Sequence, residues 1–371
     1  MIRKLRELLE LSGPSDGRLL PMEGVRGIAV VLVFLQHFFV QYALLVDVSG
    51  VALVAVHGLR IIGNFGVAIF FVLSGYLIYG GLVRRHQHFV PFMKRRIVRI
   101  YPAFLSVFVV VVAMHLLTGS GRIPRDPVDG GLVVLANLLL LPGVFAAEAL
   151  LSPAWTLSYE MAFYLSFGLL VPGLRMADWP RRARVAFMVV LMAVVIVLGA
   201  VFKGGWGWLA SPMPLVPFLA GVLLQEAGDR RLPFGLVALA PVVTVVHILF
   251  PVAFPYFWLV RGLVETLALT LICGAAFQGG NPVARMFAWT PLRWLGNMSY
   301  SFYLVHALVV LAVFRLLAWQ GGFGWPAVPV LLLLVPVFIA STAASFVLFV
   351  LVERPISLKP RGRAKLAPAS A

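Results

Sequence analysis

Between Met22 and Leu351 the chain is a succession of apolar runs about 20 residues long, the length that carries an α-helix across a hydrocarbon core. In such a solvent no water reaches the backbone N–H and C=O groups, so each run must close its own hydrogen bonds as a helix. Charged residues make up 12% of the 371 positions and hydrophobic residues 61%, where a soluble domain carries about 25% charge. The expected fold is therefore all-α, a polytopic integral membrane protein. The single Cys273 excludes an internal disulfide and a cysteine metal cluster. The first apolar run continues past any small-residue cleavage pattern and reads as a retained helix.

The net charge of +16 does not point to nucleic acid, because the basic residues are gathered in short blocks between apolar runs. Those blocks include Arg84 to Arg99, Arg175 to Arg184 and Arg354 to Lys365. Cytoplasmic loops collect Lys and Arg, so the blocks orient the chain. With both termini cytoplasmic, the spans are expected at 22–45, 61–80, 100–117, 155–174, 185–203, 206–225, 234–254, 258–277, 297–319 and 328–351. That makes ten transmembrane helices. One further apolar segment, 131–146, would put the 175–184 block on the wrong side if it crossed, so it reads as re-entrant or interfacial. Pro212, Pro214 and Pro217 should kink or break their span. The implied organisation is a cytoplasmic segment at 1–17, a membrane domain at 18–358 and a basic cytoplasmic tail at 359–371.

Several residues do not belong in oil. In "GVRGIAVVLVFLQHFFVQYALLV", Arg26 and His37 stand eleven residues apart, about 16 Å along one helix. Arg26 near an interface is open to reading as an anchor. A histidine at bilayer depth faces a cavity or a polar partner and is able to take a proton from a hydroxyl. In "FMKRRIVRIYP", Lys94, Arg95, Arg96 and Arg99 lead into a span, either as headgroup contacts or as guanidinium forks for a phosphorylated ligand. In "SPAWTLSYEMAFY", Glu160 needs a partner or water. "WLGNMSYSFYLVH" adds Asn297, Tyr300, Tyr303 and His306. No compact set of histidines and carboxylates has metal-ligand spacing, so no metal is expected. These residues alone serve a transporter or flippase path, or an envelope scaffold, as well as an enzyme.

The segments resemble, in order, those of the acyltransferase 3 family of membrane O-acyltransferases: "MEGVRGIAVVLVFLQH", "FGVAIFFVLSGYLI", "KRRIVRIYPAF", "SPAWTLSYEMAFY", "LRWLGNMSYSFYLVH" and "FVLVERPI". The resemblance covers about residues 18–358, with Glu23 where the family commonly has aspartate. It implies transfer of an acyl group, acetyl foremost, from cytoplasmic acyl-coenzyme A to a hydroxyl of an envelope or exported glycan or glycolipid. It further implies a stand-alone member in a bacterial inner membrane, with no tightly bound cofactor. Membrane lipids, a second copy or envelope-assembly proteins would be its partners. On this reading His37 is the general base, with Arg26 and Glu160 completing the catalytic set. Glu160 would orient the acceptor or polarise the histidine. Arg95, Arg96 and Arg99 would hold the donor, and Asn64 or Tyr300 would face the oxyanion.

Overall fold

The computed structural model describes residues 2–11, 19–119, 122–145, 147–202, 210–228 and 257–358. Among them the chain is helical throughout, and the one strand-like pairing is an isolated bridge between Pro142 and Phe145. Seven helices are long and apolar enough to cross a membrane, so this is a multi-pass membrane protein with fewer such helices in view than the ten expected. They lie in α2 (Leu19–Leu45), α3 (Gly50–Arg85), α4 (Phe89–Thr118), α7 (Arg181–Val201), α9 (Phe257–Phe277), α12 (Ser299–Gly321) and the stretch Ala327–Ser357. The expected span at 234–254 and the tail at 359–371 lie outside the described residues.

The differences from expectation have local causes. α6 (Ala154–Gly173) has the length of a span, but Thr156, Ser158 and Glu160 make it too polar for the seven. Two of them, Thr156 and Glu160, line a cavity of the bundle. The expected 206–225 span is a short helix, α8 (Leu215–Ala227), that begins directly after Pro214; a proline is tolerated in a helix's first turn and not in its interior. α5 (Pro127–Leu138) has 12 residues, about 18 Å of rise, too short to cross a core of about 30 Å. The last apolar run divides into α13 (Ala327–Leu332), α14 (Leu334–Leu348) and a π-helix, Phe349–Ser357, that holds Pro355. Widened turns of this kind recur at functional positions.

Packing follows from small residues. α2 crosses α3, the short helix α11 (Thr290–Asn297) and α12, while α3 also crosses α8. A Cβ placed on Gly24, Gly27 or Gly296 would come within 2.0 Å of a backbone oxygen of the facing helix, which is α10 (Pro282–Phe287), α11 and α2 in turn. Backbone-to-backbone approach of this type is how helices associate in lipid, where apolar burial gives no net drive. The outer faces are apolar instead: Val189, Val190, Val194 and Val197 of α7 are all exposed, as expected for a helix in contact with lipid. Gly27→Ala is therefore expected to push α2 off α11 at a cost of about 1–3 kcal/mol, read as a lower melting temperature in detergent. An unchanged melt would show that the two helices separate freely.

The amphipathic helix α1 (Ile2–Leu9) lies across one end of this bundle. Asn297 donates to the Leu9 carbonyl at 2.8 Å, and Arg354 donates to the Glu7 carbonyl at 2.9 Å. Arg293 reaches both Glu10 (3.2 Å) and the buried Glu23 (2.9 Å), tying α1, α2 and α11 together. The Arg6 hydrogen bond holds the Glu10 carboxyl below the usual carboxylate range despite partial burial. The stabilisation from that pair is present at neutral pH and is lost as the pH falls through the lowered value.

Candidate active site

Two cavities open in the bundle, and the sequence-derived residues divide between them. The first, about 130 Å³, is lined by Arg26 of α2, Ser74 of α3, Arg96 and Arg99 of α4, Glu160 of α6, and Tyr300 and Tyr303 of α12. Its charge is mostly positive: three guanidiniums against one carboxylate. Arg26 makes no hydrogen bond or ion pair to another described residue, although Arg99, Glu160 and Glu353 all act on it electrostatically. Arg96 lies between the rings of Phe92 and Tyr164, each 5.6 Å from its guanidinium carbon. Its Nε has no hydrogen-bond partner among the described residues. Unsatisfied guanidinium donors converging on a cavity are suited to phosphate or carboxylate.

Other groups in this cavity are fixed. Arg99 Nη1 donates to Glu353 at 2.5 Å and its head lies over the Tyr300 ring. Glu353 is wholly buried in the π-helix, where its second oxygen accepts from the backbone N–H of Ser301 (3.0 Å) and from the Ser301 hydroxyl (2.5 Å). Glu160 accepts from the Ser74 hydroxyl at 3.0 Å and from the Tyr164 hydroxyl, both on Oε1. The Tyr300 hydroxyl is given to the Ile100 carbonyl at 2.8 Å. Asn64 is exposed and lines neither cavity. Arg95 also lies off both linings, with its guanidinium on Gln87.

His37 lines the second cavity, about 140 Å³, with Gln41, His115, Thr118, Arg122, Ser152 and Arg315. This cavity lies toward the C-terminal ends of α4 and α12, away from α1. His37 Nδ1 is 2.9 Å from the Val33 carbonyl and 3.3 Å from His306 Nε2, while His306 Nδ1 is 2.8 Å from the Phe302 carbonyl. A carbonyl only accepts, so the pattern assigns the proton to Nδ1 on both rings. His306 Nε2 then accepts from His37, and the His37 Nε2 lone pair is left as the available base. The histidine's orienting partner is thus His306, fully buried, and not Glu160, which sits in the first cavity.

A cluster of hydroxyls stands on the wall of the first cavity. Thr156 and Tyr303 are 2.6 Å apart, and both point at the Pro153 carbonyl, at 3.1 Å and 3.0 Å. Tyr303 lines the first cavity. Its ring lies 6.0 Å from that of His306, which is 4.8 Å from His37 on the second. The connection that carries Ser152 and Pro153 into this position is held by Asn137. That buried side chain donates to the carbonyls of Val133 and Glu148 and accepts from the Leu150 N–H, each at 2.9 Å. Leu140, at φ 55°, makes the turn. Nothing in the sequence around Asn137 distinguished it from an ordinary residue at a span's end, and the segment "FVLVERPI" assigned no role to its Glu353.

A family model described as an acyltransferase domain matches residues 21–350. Acyltransferase MdmB of Streptomyces mycarofaciens is 28% identical over 370 residues, covering 92% of each chain. Exopolysaccharide production protein ExoZ of Rhizobium meliloti is 28% identical over 327 residues, 83% of this chain and 93% of its own. O-acetyltransferase OatA of Staphylococcus aureus is 25% identical over 327 residues, 80% of this chain and 51% of that longer protein. No solved structure matches.

Proposed function

The chain belongs to this acyltransferase family and is a membrane-bound acyltransferase, and from that premise we propose that it moves an acyl group, acetyl foremost, from acyl-coenzyme A to a hydroxyl of an envelope or exported glycan. The observation that carries the proposal is the run of neighbouring rings, Tyr303, His306 and His37, that spans from the wall of one cavity to the wall of the other. One cavity is built for an anionic donor and the other presents a neutral imidazole. The names of the relatives, an exopolysaccharide production protein and an O-acetyltransferase among them, support the acceptor class.

In the proposed reaction the phosphates of acyl-coenzyme A sit against Arg26, Arg96 and Arg99, with the thioester toward Thr156 and Tyr303. His37 Nε2 takes the proton of the acceptor hydroxyl as its oxygen bonds to the thioester carbonyl carbon. The tetrahedral oxyanion collapses, the C–S bond breaks, and coenzyme A leaves as a thiolate that recovers the proton from His37. Two hydroxyls share the Pro153 carbonyl on the wall of the first cavity, and one of their protons is free to turn to the oxyanion. Tyr303 and Thr156 thus take the role expected of Tyr300, whose proton is committed. In this reading the donor cavity faces the cytoplasm with the termini, and the positions of the basic blocks support that orientation.

The experiment is transfer of label from [14C]acetyl-coenzyme A by the full chain in proteoliposomes, with envelope glycans as acceptor. Arg96→Ala is expected to raise the KM for acetyl-coenzyme A by about tenfold, the size of one charge-assisted hydrogen bond. Arg95→Ala should change it less than twofold, on the order of an exposed contact. Equal effects of the two would remove the first cavity as the donor site.

A further inference from the structure

The second cavity has an unexpected charge. It is lined by Arg122 and Arg315 as well as His37 and His115, and no Asp or Glu is among the lining residues. Arg122 has one acidic neighbour, Glu148, at 3.4 Å on an exposed flank. Arg315 makes no ion pair or hydrogen bond to another described residue. It extends the α12 stripe of Leu308 and Leu311, both on the cavity wall, and stands about 14 Å beyond His306 along the helix.

Topology does not account for these two arginines. Lys and Arg concentrate on the cytoplasmic side, and here the pair lies at the opposite end from α1 and the basic blocks. An arginine within a spanning helix is costly and marks a ligand path or a water-filled cavity. Two guanidiniums on the wall of the cavity that holds the base, each a planar fork of donors, suit an anion carried by the molecule that holds the reacting hydroxyl.

We infer that the acceptor carries an anionic group, a phosphate or a carboxylate, as well as the hydroxyl that is acylated, and that Arg315 with Arg122 binds that group. This rests on the reading of His37 as the base of the acceptor cavity. Neutral acceptors lack the group that these arginines recognise, and amine-bearing acceptors are repelled by them. The anion has two chemical sources: a uronate on the sugar itself, or the phosphate that links a sugar to a lipid.

The test uses three acceptors with the same octyl chain and the same 2-, 3- and 4-hydroxyls: octyl β-glucoside, octyl β-glucuronide, which alone lacks the 6-hydroxyl, and octyl glucosyl phosphate. Label transfer from [14C]acetyl-coenzyme A is measured for each with the full chain in proteoliposomes. At least one anionic probe is expected to exceed the glucoside in kcat/KM by about tenfold, one charge-assisted contact, and which one identifies the source. In Arg315→Gln that preference should collapse through KM, and Arg315→Lys should recover part of it, in variants that elute from detergent as the parent does. Equal use of all three, a preference for the glucoside, or no transfer to either anionic probe overturns the inference. Transfer to any probe by His37→Ala at more than about a tenth of the parent rate, far above the loss expected for a general base, overturns the reading of the base, and the inference with it.

Discussion

His37→Ala is expected to lower acyl transfer by roughly 10²- to 10⁴-fold, the range of a single general base, while the protein stays in the membrane at its usual level. The expectation follows from the bonding around the ring. Nδ1 is spent on the Val33 carbonyl and on His306, so the ring is held in one tautomer with Nε2 as its only lone pair. The alanine variant leaves room for water and removes the contact to His306, so loss of activity alone does not separate chemistry from packing. His37→Gln does. Its amide is able to donate to Val33 as Nδ1 does, yet it has no basic nitrogen. The same loss in both variants assigns the effect to proton transfer, whereas more than a tenth of the parent activity in His37→Gln would reduce the histidine to an orienting group. His306→Gln, which keeps an acceptor for His37, should fall between the parent and these variants.

The helices were legible in the sequence for the reason that backbone groups in oil have no alternative partners. Their ends were less so. The start of α8 at Leu215 depends on which of three prolines the chain accepts inside the helix, and the close of the last run depends on a π-turn that has no hydropathy signal. The site was legible in its residue types and not in its grouping. Arg95 and Arg96 both lie close to Arg99 in helical angle, about 40° and about 60° away on opposite sides. Only the rotation of α4 against α6 decides that Arg96 lines the cavity with Arg99. Arg26 and His37 share a helix, and eleven residues is far enough to place them on separate cavities. Their joint presence in one motif therefore reads as one site, whereas the two residues line separate cavities. Glu353 was hidden for another reason. A glutamate beside Arg354 at the end of a span looks like interface chemistry, and only the tertiary fold shows its carboxylate wholly buried against Arg99 and Ser301.

Glu353→Ala should then be the most destabilising single change around the donor cavity. Removing one partner of a buried pair leaves the other charge uncompensated, at about 3–5 kcal/mol, and here the backbone N–H of Ser301 is orphaned as well. A large fall in the melting temperature in detergent is expected. The double variant Arg99→Ala with Glu353→Ala should recover much of that fall, because no unpaired charge remains, but not the transfer activity. Glu353→Gln separates two roles that the alanine variant confounds. The glutamine still accepts from Ser301, and it offers Arg99 a neutral acceptor in place of a carboxylate. If Glu353 only offsets charge, the cavity becomes more positive and the KM for acyl-coenzyme A falls. If it fixes where Arg99 points, the weaker bond lets the guanidinium wander and the KM rises, by about tenfold for a charge-assisted bond exchanged for a neutral one. The 2.5 Å contact to Arg99 and the two bonds from Ser301 to the other oxygen hold the carboxylate at both ends, which is the arrangement of a positioning group, so the KM is expected to rise. A fall in KM at unchanged kcat would assign Glu353 to charge balance instead.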